Sequence, residues 1–271
     1  FLLTGAGLVS SLFHLGHPER AWRALSQWRS SWLSREGVLS VLALAVFGLH
    51  AGAMVFLDLN LWPLGFLAAL LATATVYATA MIYGSLRSVP TWNDPLTPVV
   101  YLAFAAAGGT LAAALIARLF ALPGAVLELL AVVLLVAAWT AKALWWKQAP
   151  ARGFGGSTPE SATGLGGIGR VRLFEAPHTS PNYLLKEMVF VVGRRHVRKL
   201  RTIAVILGAA VPLALVLLSL AFGGVWPLLV VAVASHVAGV LAERWLFFAE
   251  AKHTVALYYG HGEAHGRRVA G

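Results

Sequence analysis

Between residues 14 and 36 the chain gathers side chains suited to moving protons at a membrane surface. The run from His14-Leu-Gly-His17-Pro-Glu19-Arg20 to Ser34-Arg-Glu36 carries two histidines, two carboxylates, four arginines and three tryptophans. Imidazole titrates near neutrality, and a partly desolvated carboxyl group can serve as acid or base. Almost pure hydrocarbon flanks the run on both sides, so these groups stand where a membrane helix meets water. Desolvation at Glu36 favours the neutral carboxyl, and a helix N-terminus favours the carboxylate; the two oppose each other here. An amphiphilic, redox-active ligand such as a quinone would be handled at such a boundary. Its reduction takes up electrons and protons, so it needs titratable groups near water and an apolar slot for its tail.

The elements that must position these groups are membrane helices. Hydrophobic residues make up 59% of the chain and charged residues 12%, with mean hydropathy +0.75, which excludes a soluble domain. A bilayer core needs about 20 apolar residues per helix, and spans are expected at 37–57, 61–86, 96–122, 124–146, 200–222 and 225–249. Residues 1–15 are apolar but too short to cross, and the chain does not begin with Met. The expected fold is therefore an all-α, polytopic transmembrane helical bundle, of eight helices with the first missing or truncated. A transporter is the rival class, but its polar site would lie mid-membrane between broken helices. Here the polar groups gather at one surface, and no inverted repeat is evident.

The chain has no cysteine, so no thiolate-bound iron–sulfur cluster resides in it. Any electrons that pass must come from a partner or from a non-Cys cofactor. Lys and Arg total 21 against 11 Asp and Glu. They collect in the segments 16–36, 87–95 and 147–199 and in the tail after 251, all on one face, side A. The other face offers only Asp58-Leu-Asn60, Pro123-Gly124 and Gly223-Gly224, with Arg118 as its main basic residue. The positive-inside rule puts side A in the cytoplasm, and no nucleic-acid partner is expected.

Three regions follow: 1–147 with the proton-handling motifs, 148–199 on side A, and 200–271 with the last two spans. Within the middle region, 149–169 is rich in Gly, Pro, Ser and Thr and is expected to be an extended or mobile linker. The basic segment 170–199 is either an amphipathic helix held by anionic membrane lipid or a docking platform for a soluble subunit. In a second polar cluster, Met81-Ile-Tyr83-Gly-Ser85-Leu-Arg87 to Pro90-Thr-Trp92-Asn-Asp94, Pro90 is expected to end the preceding helix and Trp92 to join the interfacial aromatic belt. His50 and His236, each about 20 Å below side A, could ligate a haem b or serve as hydrogen-bonded packing residues. Lys142 is expected to snorkel, and Arg244 to pair with Glu243 or Glu36.

Taken together, His14-Leu-Gly with Pro18, Arg20-Ala and Ser34-Arg-Glu36, and then Ile82-Tyr83-Gly-Ser85 with Val89-Pro-Thr-Trp92, resemble the membrane anchor subunit of dimethyl sulfoxide reductase. The likeness is strongest over residues 1–98 and returns weakly at Glu243-Arg244 and Phe247-Phe248. It implies an eight-helix anchor in a bacterial inner membrane that binds menaquinone or ubiquinone. Such an anchor holds an iron–sulfur subunit, with 4Fe-4S clusters, beside a molybdopterin catalytic subunit. In that family a His like His14 and a Glu like Glu36 serve quinol binding and proton transfer. The long 147–199 insertion departs from the reductase anchors and looks more like the anchors of cytoplasm-facing, sulfite-oxidising molybdoenzymes that reduce quinone.

The site expected on these grounds is a quinone head near His14, Arg20, Glu36, Tyr83, Arg87 and Trp92, with His14 and Glu36 exchanging protons. Trp22, Trp28 and Trp32 would wall it or anchor in the belt. The competing assignments are plainer: His14 hydrogen-bonds a helix end, Glu36 pairs with Arg35 or Arg20, and the anchor is purely structural or a haem protein.

Overall fold

The computed structural model describes residues 2–10, 13, 16–175 and 196–259. Among these residues every element is helical, and six helical stretches are long and apolar enough to cross a membrane. The contacts divide the chain into two compact units, Phe1–Ser85 and Leu86–Gly271.

In the first unit α1 (Leu2–Ser10) is followed by a 3-10 turn (Pro18–Arg20) and a single-turn helix α2 (Arg23–Ser26). Two spans, α3 (Trp32–Leu57) and α4 (Trp62–Gly84), then form a hairpin. Ser31 has extended backbone, and its hydroxyl accepts the Ser34 N–H, an N-cap that starts α3 five residues before the expected span. At the far end Asp58 takes a left-handed conformation, and the Leu59 N–H returns to Ala53 O, which closes the helix. Trp62-Pro63 opens α4. Proline in a first turn sacrifices no hydrogen bond. The hairpin is pinned by an edge-on contact of Trp32 with Tyr77 (5.8 Å between centroids) and by His50, whose ring lies against Gly65.

In the second unit α5 (Leu96–Leu119) and α6 (Ala125–Arg152) form another hairpin. After the short α7 (Pro159–Thr163) come α8 (Val197–Val205), a π segment (Ile206–Ala210), α9 (Val211–Ala221) and α10 (Trp226–Ala249), with a final 3-10 turn, Thr254–Tyr259. The apolar core includes Leu111, Ala131, Val216, Leu229 and Ala232, all fully buried. The π segment has a cause in the sequence. Pro212 lacks the N–H that would bond the Gly208 carbonyl four residues earlier, and that freed oxygen accepts Trp139 Nε1 (2.9 Å) and pairs with His236 Nδ1 (2.8 Å). Gly239 must be glycine, because a Cβ there would strike the Gly208 backbone. At the opposite end Arg118 packs on Gly124 and Gly224, and Gly224 has φ +97°, a backbone conformation that favours glycine.

Two expectations change. The 149–169 stretch is not an extended linker: α6 runs on to Arg152, and Thr158 and Ser161 form a reciprocal capping box on α7. Tyr258 donates to Ala162 O (2.7 Å), tying this cap to the tail. Pro90 does not end α4, which stops at Gly84 with Ser85 as its cap; Pro90 instead packs against Gly155. Much of the 170–199 segment, residues 176–195, lies outside the described residues.

Candidate functional site

The described part of the expected site centres on Glu36. Residues 21–31 fold back onto the start of α3 through backbone carbonyls. Ser34 donates its hydroxyl to Ala24 O, and Leu25 fills the space beside Gly37. Arg35 donates to Trp28 O (3.0 Å) and Arg29 O (2.7 Å), and its guanidinium lies 4.3 Å from the Trp32 ring centre. Arg35 is thus committed to holding the loop. Arg20 lies 3.7 Å from Glu19, both exposed. Glu36 takes neither arginine; its half-buried carboxylate accepts the Thr79 hydroxyl of α4 at 2.5 Å. As the fifth residue of α3, Glu36 sits past the first turn, where the field of the helix N-terminus has faded.

His14 lies outside the described residues. Tyr83 is half-buried one turn beyond Thr79 on α4, and Arg87 is exposed in the loop that follows. Trp92 does not sit in an interfacial belt. It is buried, donates its indole N–H to Phe247 O (2.9 Å), stacks on Phe247 and meets Phe248 and His253 edge-on. Trp22 and Trp28 are exposed, each beside an arginine. Thr79 is not among the residues the sequence singles out, although Thr73, Thr75 and Thr79 in an otherwise apolar α4 are the signal.

The second unit holds charges that do not snorkel. Lys142 is buried, with Nζ 2.5 Å from Glu243 Oε1 and 3.7 Å from the Trp145 ring centre. Glu243 also takes Arg244 (Nε–Oε2 2.5 Å), whose guanidinium packs over Tyr101 at 4.3 Å. Lys142 is seven residues short of Ala149, about 10 Å of helix, and its partner sits at the same depth. Trp145 and Trp146 lie beside its ammonium group. Arg118 bonds buried Glu128 (2.5 Å), Arg201 bonds Glu250 (2.8 Å), and Arg152 forms an ion pair with buried Asp94 (2.7 Å).

His50 and His236 both lie against glycines of neighbouring helices. His236 pairs with Gly208 O through Nδ1, and its Nε2 edge faces Gly108; the His50 ring faces Gly65. Among the described residues no cluster of three or more His, Cys, Asp or Glu could hold a metal ion.

Helices of this length and apolarity, with charges buried in pairs between them, define a multi-pass α-helical membrane protein. The family model for the DMSO reductase anchor subunit (DmsC) matches residues 1–260, and the chain belongs to that family. It is 34% identical to the C subunit of the sulfite dehydrogenase of Allochromatium vinosum over 95% of this chain and 83% of the relative. It is also 32% identical to the C component of the anaerobic dimethyl sulfoxide reductase of Haemophilus influenzae, and 29% identical to that of Escherichia coli. Those matches cover 42% and 48% of this chain, and 42% and 46% of those relatives. No solved structure matches.

Proposed function

We propose that this chain is the membrane anchor and quinone-reactive subunit of a molybdopterin oxidoreductase complex. It exchanges electrons between membrane quinone and an iron–sulfur partner, which sits beside a molybdopterin catalytic subunit. The long match to a sulfite dehydrogenase subunit favours a complex that passes electrons from sulfite to quinone. The observation that carries the site is the half-buried Glu36 carboxylate, placed inside a membrane span and, among the described residues, hydrogen-bonded by a hydroxyl rather than paired with an arginine. A carboxyl group so held can give up and regain a proton, which quinone reduction requires.

On this reading a quinone, ubiquinone or menaquinone, is held in the first unit by His14, Arg20, Glu36 and Tyr83. It enters sideways from the bilayer, and its bound form accepts the electrons. The protein supplies the rest: Glu36 and His14 move protons, Arg35 and Ser34 fix the loop that carries the aromatic residues, and apolar helix faces exclude water. Having no cysteine, the protein takes its electrons from the partner's clusters. Trp92 is given to packing with Phe247, so its contribution is to hold the 87–95 loop.

The basic segment 170–199 is proposed to dock the iron–sulfur subunit on the cytoplasmic side of a bacterial inner membrane. Deleting 170–183 should release that subunit from membranes; a subunit that stays bound would contradict the docking role. Adding a short-chain ubiquinone to the purified, sulfite-reduced complex tests the function itself. Re-oxidation of the iron–sulfur signals is expected, whereas a purely structural anchor would leave them unchanged.

A further inference from the structure

The hydroxyls of α4 do not all do the same thing. Thr73 donates to Ala69 O and Thr75 to Leu71 O, each at 2.8 Å, the ordinary way in which a threonine inside a helix satisfies its hydrogen. Thr79 has two acceptors within reach, Thr75 O at 3.0 Å and Glu36 Oε1 at 2.5 Å. A hydroxyl carries one hydrogen and two lone pairs, so it donates to one of these at a time and can itself accept.

Both protonation states of Glu36 are thereby satisfied. With the carboxylate ionised, the Thr79 hydrogen points to Oε1. With Glu36 protonated, the carboxyl O–H donates to Thr79 Oγ1, and the Thr79 hydrogen turns to Thr75 O. No half-buried polar group loses its partner in either state, and an orphaned group of that kind is costly. A lysine or arginine in place of the threonine would hold Glu36 in one state only.

We propose that Thr79 is the positioning residue of the quinone reaction, aiming the Glu36 carboxyl group and reversing its own hydrogen bond as Glu36 gives up and regains a proton. This rests on the proposed role of Glu36 in proton transfer. When the Glu36 proton passes to a quinone oxygen, the carboxylate left behind takes the Thr79 hydrogen. When a proton returns from water, the bond reverses. Thr79 itself neither gains nor loses a proton.

Thr79→Val keeps the shape and removes the hydroxyl; Thr79→Ser keeps the hydroxyl and removes the methyl. Both, with Glu36→Gln, are to be made in the intact complex and assayed with a short-chain ubiquinone and with an artificial dye, per mole of assembled complex. Thr79→Val is expected to lower kcat for quinone about tenfold, with KM and dye turnover little changed, and Thr79→Ser to restore most of the loss. Unchanged kcat in Thr79→Val beside an impaired Glu36→Gln overturns this proposal and leaves the role of Glu36 standing. So does a Thr79→Ser variant as slow as Thr79→Val, a change in KM alone, or an equal fall in both assays. Full quinone turnover in Glu36→Gln overturns the underlying reading instead.

Discussion

The two compact units of this protein treat their polar groups in opposite ways. In Leu86–Gly271 the intramembrane charges are paired and closed in: Lys142 and Arg244 share Glu243, and Arg118 holds Glu128. In Phe1–Ser85 the corresponding carboxylate, Glu36, is half-buried and meets a hydroxyl. The arginine beside it is spent on backbone carbonyls. Packing follows the same division, since 11% and 17% of the apolar stretches of α3 and α4 are buried, against 28% to 33% in the other spans. A buried ion pair fixes helices because neither charge can leave without stranding the other. A carboxylate held by a hydroxyl has no such ionic tie between helices. On the proposed function the second unit is the frame, and the first is the part that exchanges protons and admits an apolar tail.

This contrast can be broken most forcefully at Glu243. Glu243→Leu leaves Lys142 and Arg244 buried without a carboxylate and should cost about 3–5 kcal/mol, seen as a large fall in the thermal stability of the purified complex. Lys142→Met should cost less, because the Glu243–Arg244 pair survives. Equal losses would show that the three charges are not one network.

The carbonyl freed by Pro212 gives a smaller effect. Either Trp139→Phe or His236→Leu should cost about 1 kcal/mol, since the other donor still serves Gly208 O. The double variant should cost more than the sum, because the oxygen is then unpaired. Strict additivity in a thermal-denaturation series would contradict the shared acceptor.

Ser34→Ala should cost no more than about 1 kcal/mol and should act only locally. Amide exchange is expected to quicken over residues 21–30 and to stay unchanged in α5 and α6.

Acid should loosen the cap that Glu160 holds. The Glu160 carboxylate is held below the usual carboxylate range by backbone N–H donors, its own first, then by the Thr158 side chain and the Val171 N–H. Its folded pKa is lowered, so its stabilisation is present above the ordinary Glu range and is lost as the pH falls through the lowered value. Amide protection over 158–171 should therefore drop in acid, and in Glu160→Gln it should no longer respond to pH.

How much of this is legible in the sequence depends on the interaction involved. Membrane spans announce themselves by composition, and turns such as Asp58-Leu-Asn60 and Gly223-Gly224 by residue type, so the bundle and its connections are readable. The Ser34-Arg-Glu36 motif marks a place but not its wiring. Nothing local says that Arg35 turns back to Trp28 and Arg29, because that depends on how the preceding loop folds. Lys142 departs from expectation for a related reason: a lone lysine near a helix end snorkels by default, and only α10 brings Glu243 to it. Gly and Ser content points to an extended linker, but it overlooks the capping box that Thr158 and Ser161 can form. Trp92 illustrates the general difficulty, because a tryptophan in a loop after a span fits a belt equally well until Phe247 is seen beneath it.

The central claim is that the first unit carries the proton chemistry of quinone reduction. Its most direct test compares quinone-linked and dye-linked turnover of the intact complex in Glu36→Gln and His14→Ala. Both variants should lose quinone-linked turnover by about a hundredfold or more while assembly and dye-linked turnover are retained. Full quinone-linked turnover in both would contradict the account.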